Sequence, residues 1–232
     1  MTWPSNFPVG TKGYMNDRID DELKRSGTIS TRIDQAILDA ISIYQKKRFR
    51  FSEATFTFNT VVSQEFYTSS DNANIANLYL IDYLILQIGT ARFDLVRRNP
   101  EDIDLLTQSG TQQGQPQVYS YFDEQIRFYP VPSAVYPVIC SAHLLIAGPA
   151  AGSSGDSTTG IRWFTDAERL IRCRAKYSLA VNNINDPDLA RRMSPDPPEP
   201  GEISGETWLA YEDLKAETAK LTATGRVRPT QF

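Results

Sequence analysis

A single histidine, His143, and two cysteines, Cys140 and Cys173, bound the chemistry available to this sequence of 232 residues. One imidazole excludes multi-histidine metal sites and leaves at most one general base of that type. In strand alternation His143 shares a face with Ile139 and Leu145, which reads as a structural side chain. Both thiols fall in apolar runs, so they are expected to be buried, and two cysteines fit a reducing compartment better than a disulfide scaffold. The other cluster able to do chemistry is acidic: Asp17, Asp20, Asp21 and Glu22. The first three lie at spacings that share a helix face, so a carboxylate metal site and a metal-dependent hydrolase form one possible reading. Such sites draw ligands from several elements, whereas acids in the first turns of a helix complement its dipole. The dipole is the plainer explanation.

Phosphate-loop, dinucleotide, nucleophile-elbow and paired C-x-x-C patterns are missing from the sequence. No catalytic, cofactor-binding or metal-binding residue is assigned on these grounds, and the enzyme reading has little support. Charge offers more. Arg162, Arg169, Arg172, Arg174 and Lys176 make one stretch basic, with Arg191 and Arg192 beyond it, while residues 193–213 hold six acids and no Lys or Arg. The basic stretch could face phosphates, but contact with acids such as Glu199, Glu202 and Glu206, within or between subunits, is the simpler use.

These residues sit on elements of two kinds. Ile29, Ile33, Ile37 and Ile41, flanked by Ala36, Ala40 and Tyr44, predict an amphipathic helix over about 30–48 with Thr28 or Ser30 as N-cap. A shorter helix over 15–26, ended by Gly27, precedes it. From Phe51 the period becomes two: 51–60 and 65–68 read as a hairpin, and 78–88 as a strand, although its spacing also fits a buried helix. Pro100 opens a short helix toward Leu106. Val118–Phe122 and Ile126–Tyr129 flank a turn at Asp123 and Glu124, and Tyr136–Ile146 alternates again. Helical spacing returns from Thr165, with Leu170, Ile171, Tyr177, Ser178 and Val181 on one face, and over 206–223, with Trp208, Tyr211, Leu214 and Leu221. Pro195, Pro197, Pro198 and Pro200 make the intervening 185–205 an extended connector.

The expected fold class is α+β, a helical bundle (1–50 and 161–223) with an inserted, mostly antiparallel β module (51–147). Residues 148–160 form a flexible loop and 224–232 a C-terminal arm. The net charge of −4 argues against a broad cationic surface. The N-terminal stretch, with prolines at 4 and 8, lacks the apolar core of a signal peptide, and no apolar run reaches the ~20 residues that span a membrane.

Several local phrases carry a resemblance: Tyr44, Arg48, Phe49 and Phe51; Arg97, Pro100, Glu101, Ile103 and Asp104; Gly114, Gln115, Pro116 and Tyr119; and Ile126–Pro132 with Tyr136. The sequence resembles the head-to-tail adaptor proteins of tailed bacteriophages, a group that includes the tail tube A proteins of short-tailed phages. The resemblance implies a virion structural protein, assembled in the host cytoplasm as a dodecameric ring between portal and tail or nozzle protein. Genomic DNA would pass through its lumen without tight binding, past polar loops such as Ser109–Gln115. A tail tube or nozzle protein without portal contact is the alternative. The resemblance also assigns the basic arm, with Arg226, Val227, Arg228 and Phe232, to the portal. From the residues alone, it reads equally as a solvated tail.

Overall fold

The computed structural model describes residues 6–24, 29–108, 110, 112–200 and 202–223. The fold is mixed α+β, with seven helices and ten short or long strands among the described residues. The chain divides into two compact units, Met1–Phe51 with Ile146–Phe232, and Ser52–Leu145.

In the first unit, helix α1 spans Lys12–Glu22 and helix α2 spans Ser30–Tyr44. Helix α1 starts earlier than its spacing predicts because Thr11 caps it: its hydroxyl accepts from the Tyr14 amide at 3.3 Å. That start puts Asp17–Glu22 in the second half of the helix, away from the positive end of its dipole, so the dipole does not account for them. Helix α2 buries Ile33, Ala36, Ile37, Ala40, Ile41 and Tyr44, the stripe its sequence predicts. Ser30 is its first residue rather than its cap, and Ile29 in the cap position makes no side-chain bond. Thr28 and Gly27 lie outside the described residues.

After residue 146 come helices α4 (Ile161–Thr165), α5 (Glu168–Leu179), α6 (Pro187–Arg192) and α7 (Glu206–Ala223). Helix α5 buries Leu170, Ile171, Cys173, Ala175, Lys176 and Leu179, while the predicted face member Val181 is 48% exposed. The cause is the wider π-helical turn at Ala180–Ile184, which rotates the residues after Leu179 out of phase. Helix α6 corrects the reading of the connector as wholly extended. Asp186 accepts from the Leu189 amide at 3.0 Å and Pro187 occupies the first helical position, so Asp-Pro starts a helix there. The chain then loops back: Thr207 donates to the Met193 carbonyl at 2.6 Å, and at Gly205 a Cβ would lie 2.3 Å from the Ser194 carbonyl. One apolar cluster joins α1, α2, α4 and α5 to Phe49, Phe51 and α7, with Trp163 1% exposed. The loop 148–160 is fastened to α1: the Gly13 amide donates to the Gly155 carbonyl at 2.8 Å and Lys12 to the Ser153 carbonyl at 3.1 Å.

The second unit holds strands β1 (Glu53–Asn59), β2 (Phe66–Tyr67), β3 (Leu78–Ile88), β4 (Ala91–Asp94), β5 (Val96–Arg97), β6 (Gln113–Gly114), β7 (Val118–Phe122), β8 (Gln125–Tyr129), β9 (Val131–Pro132) and β10 (Pro137–Leu144), with helix α3 at Pro100–Thr107. Two four-stranded sheets, ordered β1-β10-β3-β4 and β2-β8-β7-β5, contribute to one apolar cluster. All pairings are antiparallel except β5 with β7 and β6 with β9. Strands β1 and β2 pair with β10 and β8 in different sheets, so they are not the hairpin their shared composition predicts. The chain crosses between sheets at Leu95, whose amide donates to the Leu84 carbonyl at 2.9 Å.

Residues 78–88 are a strand, and the register explains their helix-like spacing. Tyr79 and Asp82 have no partner in the β10 register, so Leu78, Ile81, Leu84 and Leu86 face Leu144, Ala142, Cys140 and Val138. Two irregularities of one residue convert a period of two into intervals of three.

The β7–β8 hairpin closes through Asp123 (φ 50°) and Glu124 (φ 57°), both in the left-handed region. Asp tolerates this conformation better than Glu. Glu124→Gly is therefore expected to raise the unfolding free energy by ~0.5–1 kcal/mol, the relieved strain less the added chain entropy, as measured by urea denaturation.

Candidate functional site

The residues with potential for chemistry lie apart. His143 is 1% exposed in β10, with the Tyr79 ring edge-on at 5.4 Å. Cys140 and Cys173 are free and buried, and burial pushes their thiols up to about 12 and about 11. A thiol so raised is almost wholly protonated near neutrality and is a poor nucleophile. Cys173 donates to Glu206 Oε2 at 3.7 Å. Among the described residues, no group of three or more His, Cys, Asp and Glu side chains stands close enough to hold a metal ion, Asp17, Asp20 and Asp21 included. Nor is any helix among them long and apolar enough to cross a membrane.

The basic stretch is occupied chiefly within its own unit. Arg172 reaches Glu22 Oε1 and Glu168 Oε1, both at 2.8 Å, and Lys176 reaches Glu22 Oε2 at 2.9 Å. Arg18 joins the same carboxylates, bonding Glu22 and Glu168 at 3.1 Å each. Glu22 thus links α1 to α5, a role the sequence could not show because its partners are 150 and 154 residues away. Arg169 bonds Asp213 on α7 at 3.2 Å, Arg162 bonds Asp166 at 2.6 Å, and the Arg174 guanidinium lies 5.1 Å from the Tyr177 ring centre.

The acidic side is less occupied. Asp196, Glu199 and Glu202 are exposed and form no ion pair among the described residues. They edge a cleft of about 420 Å³ whose wall includes Tyr177, Pro197 and Pro198. Arg191 is its only lining cation among the described residues, and Ile203 at its rim is 94% exposed. The candidate arm residues Arg226, Val227, Arg228 and Phe232 lie outside the described residues, as does Ser109 of the candidate channel loop.

The residues that carry the resemblance form structural contacts. Arg127 is held between Glu65 and Asp104, with its guanidinium 5.3 Å from the Phe66 ring centre, and so ties β8 to the end of α3. Ile103, Ile126 and Phe128 are fully buried, and the Tyr129 hydroxyl donates to the Leu106 carbonyl at 3.3 Å. Phe49 and Phe51 stack at 5.3 Å, and both meet Trp163 edge-on. Trp163 itself, absent from every predicted face, is the central ring of that cluster. Its N–H donates to the Ile146 carbonyl at 2.9 Å.

With this geometry in place, comparison with known families gives one result: the model of the SU10 adaptor protein family matches residues 13–159. That span is more than half of the chain, which belongs to this family of phage head-to-tail adaptors. The chain is accordingly a phage structural protein and a virion component. Comparison with curated proteins returns no match.

Burial opposes ionisation of Glu22, but the hydrogen bond from Lys176 and the charges of Arg172 and Lys176 outweigh it, so the carboxyl titrates below its ordinary 4.5. A carboxylate depressed by folding stabilises the protein above its unfolded pKa, and that contribution is lost as pH falls through the folded value. Glu22→Gln should therefore cost about 1–3 kcal/mol at pH 7, because two partly buried cations lose their counter-charge. The gap to the natural chain should narrow as the pH is lowered below 4.5. Guanidinium titrations at pH 7 and at successively lower pH measure both.

Proposed function

We propose that this member of the SU10 adaptor protein family is a helical bundle with an inserted β module that assembles into a closed ring between portal and tail. The ring, a dodecamer on the resemblance, is built from heterologous contacts and holds a lumen through which the genome passes during ejection. Family membership carries the reading. The burial of Phe49, Phe51, Ile103, Tyr119, Ile126, Phe128 and Tyr129 among the motif residues agrees with it, because these side chains make a rigid scaffold rather than a reactive pocket. Assembly takes place in the host cytoplasm, before the tail or nozzle protein is added.

The genome must slide through such a conduit, so DNA is expected to bind weakly and without sequence preference. Polar loop residues such as Gln112, Gln113 and Gln115 suit a lining of that kind. Attachment to portal falls to the basic C-terminal segment, with Arg226 and Arg228 paired to acids of the portal and Val227 and Phe232 buried there.

Electron microscopy and mass photometry of the purified chain, alone and with portal rings, test the assignment. Rings on portal are expected, and a chain that remains monomeric in both conditions overturns the reading. Deleting residues 225–232 is expected to leave the melting temperature almost unchanged and to weaken portal attachment. Undiminished attachment would move the contact to another surface.

A further inference from the structure

A ring of heterologous contacts needs two different patches on each copy, and the charges not already paired inside the first unit supply them. This inference rests on the ring reading above and names the surfaces that would close it. On one side is the cleft beside α6, with Asp196, Glu199, Glu202 and the outstanding Ile203. On the other is the end of α2. Ile43 is 46% exposed there, and Lys46 and Lys47, three and four residues on, are exposed and take no ion pair among the described residues. Each patch therefore holds one exposed isoleucine beside uncompensated charge, and the two have opposite sign. We propose that the α2 end of one copy docks in the proline-walled cleft of the next, with Lys46 and Lys47 against Glu199 and Glu202 and Ile43 against Ile203.

Three observations favour this pairing over the cations of α5, α6 and the start of α2. The cations of α5 first expected to meet these acids are committed to Glu22, Glu168, Asp213 and the Tyr177 ring. Arg191 and Arg192 stand beside the cleft itself and cannot approach it from a neighbour. Arg32 is a lone cation sharing a surface cleft with Asp39, whereas Lys46 and Lys47 lie in a run that continues through Arg48 and Arg50. The prolines at 195, 197, 198 and 200 restrict the acidic rim before contact, so little conformational entropy is lost on docking. Pairs of this exposed kind specify the partner more than they strengthen it, and repetition around a closed ring multiplies their effect.

Charge exchange tests the contact, with ring formation on purified portal rings read by electron microscopy and mass photometry and folding checked by circular dichroism. Lys46→Glu with Lys47→Glu, or Glu199→Lys with Glu202→Lys, should lower the ring fraction at least tenfold at a concentration where the natural chain is fully assembled. All four substitutions together should restore it. Ile203→Ser should weaken assembly without changing its salt dependence, and raising the salt should weaken the natural ring. If the natural chain forms rings and either charge reversal leaves them unaffected, or the quadruple variant fails to recover, the contact is overturned while the ring reading stands. If the natural chain forms no ring on portal, both are overturned.

Discussion

The first unit closes on an aromatic cluster formed by residues from both sides of the β unit in sequence. Phe49 and Phe51 come from before it, Trp163 and Tyr211 from after it, and their rings lie 5.1–6.3 Å apart in stacked and edge-on pairs. Tyr44, the last residue of α2, stacks on Tyr211 of α7 at 5.8 Å and extends the cluster to α2. Joining residues more than a hundred positions apart costs loop-closure entropy, and burying several large rings at one place is an economical way to offset it. The indole N–H of Trp163 is satisfied by the Ile146 carbonyl, where the chain re-enters the unit, so the buried polar group also fixes the return path. The helices then arrange around this centre: α2 lays its isoleucine stripe on it, α5 its leucine and isoleucine pair, and the ion pairs of Glu22 hold α1 across α5.

The second unit obeys a different constraint. Two small sheets must share one core while the chain passes between them, and the irregular residues do that work. At Leu95 a strand is interrupted and β5 begins pairing in the other sheet, and at Tyr79 and Asp82 the register of β3 against β10 slips twice. Each slip restores the next core residue, Ile81 and then Leu84, to the buried face. An eleven-residue strand can thus follow a curved surface with Leu78, Leu84 and Leu86 buried, while Leu80 on the other face is 41% exposed.

What was legible in the sequence follows from this. Regular elements that bury one face announce themselves: α2, β8 and β10 have the periods their burial requires. The strand at 78–88 was ambiguous because its bulges mimic helical spacing. The hairpin expected from 51–68 was wrong because composition reports that two segments are strands, not that they pair with each other. Helix α6 went unseen beneath the prolines that follow it, although Asp186-Pro187 is a sound start signal. The charge arrangement was only half legible. The basic stretch was apparent, but Glu22 looked like part of an acidic cluster until the fold brought α1 against α5.

Buried and exposed residues therefore carry different information in this chain. The phrases that resemble other adaptors, from Phe49 and Phe51 to Arg127, Phe128 and Tyr129, are core rings, strand partners and a clamped ion pair, so what they specify is a scaffold. A scaffold of this kind supports many surfaces, because substitutions on its exposed positions cost little stability. The family match ends at residue 159, before α5, the proline-rich connector and α7, and those later elements hold the cations committed internally and the acids left open. The family match thus falls largely on residues of the β unit and of the first two helices. Among the described residues of the later part of the chain, the exposed acids that folding leaves without an ion pair include Asp196, Glu199 and Glu202, gathered at the connector.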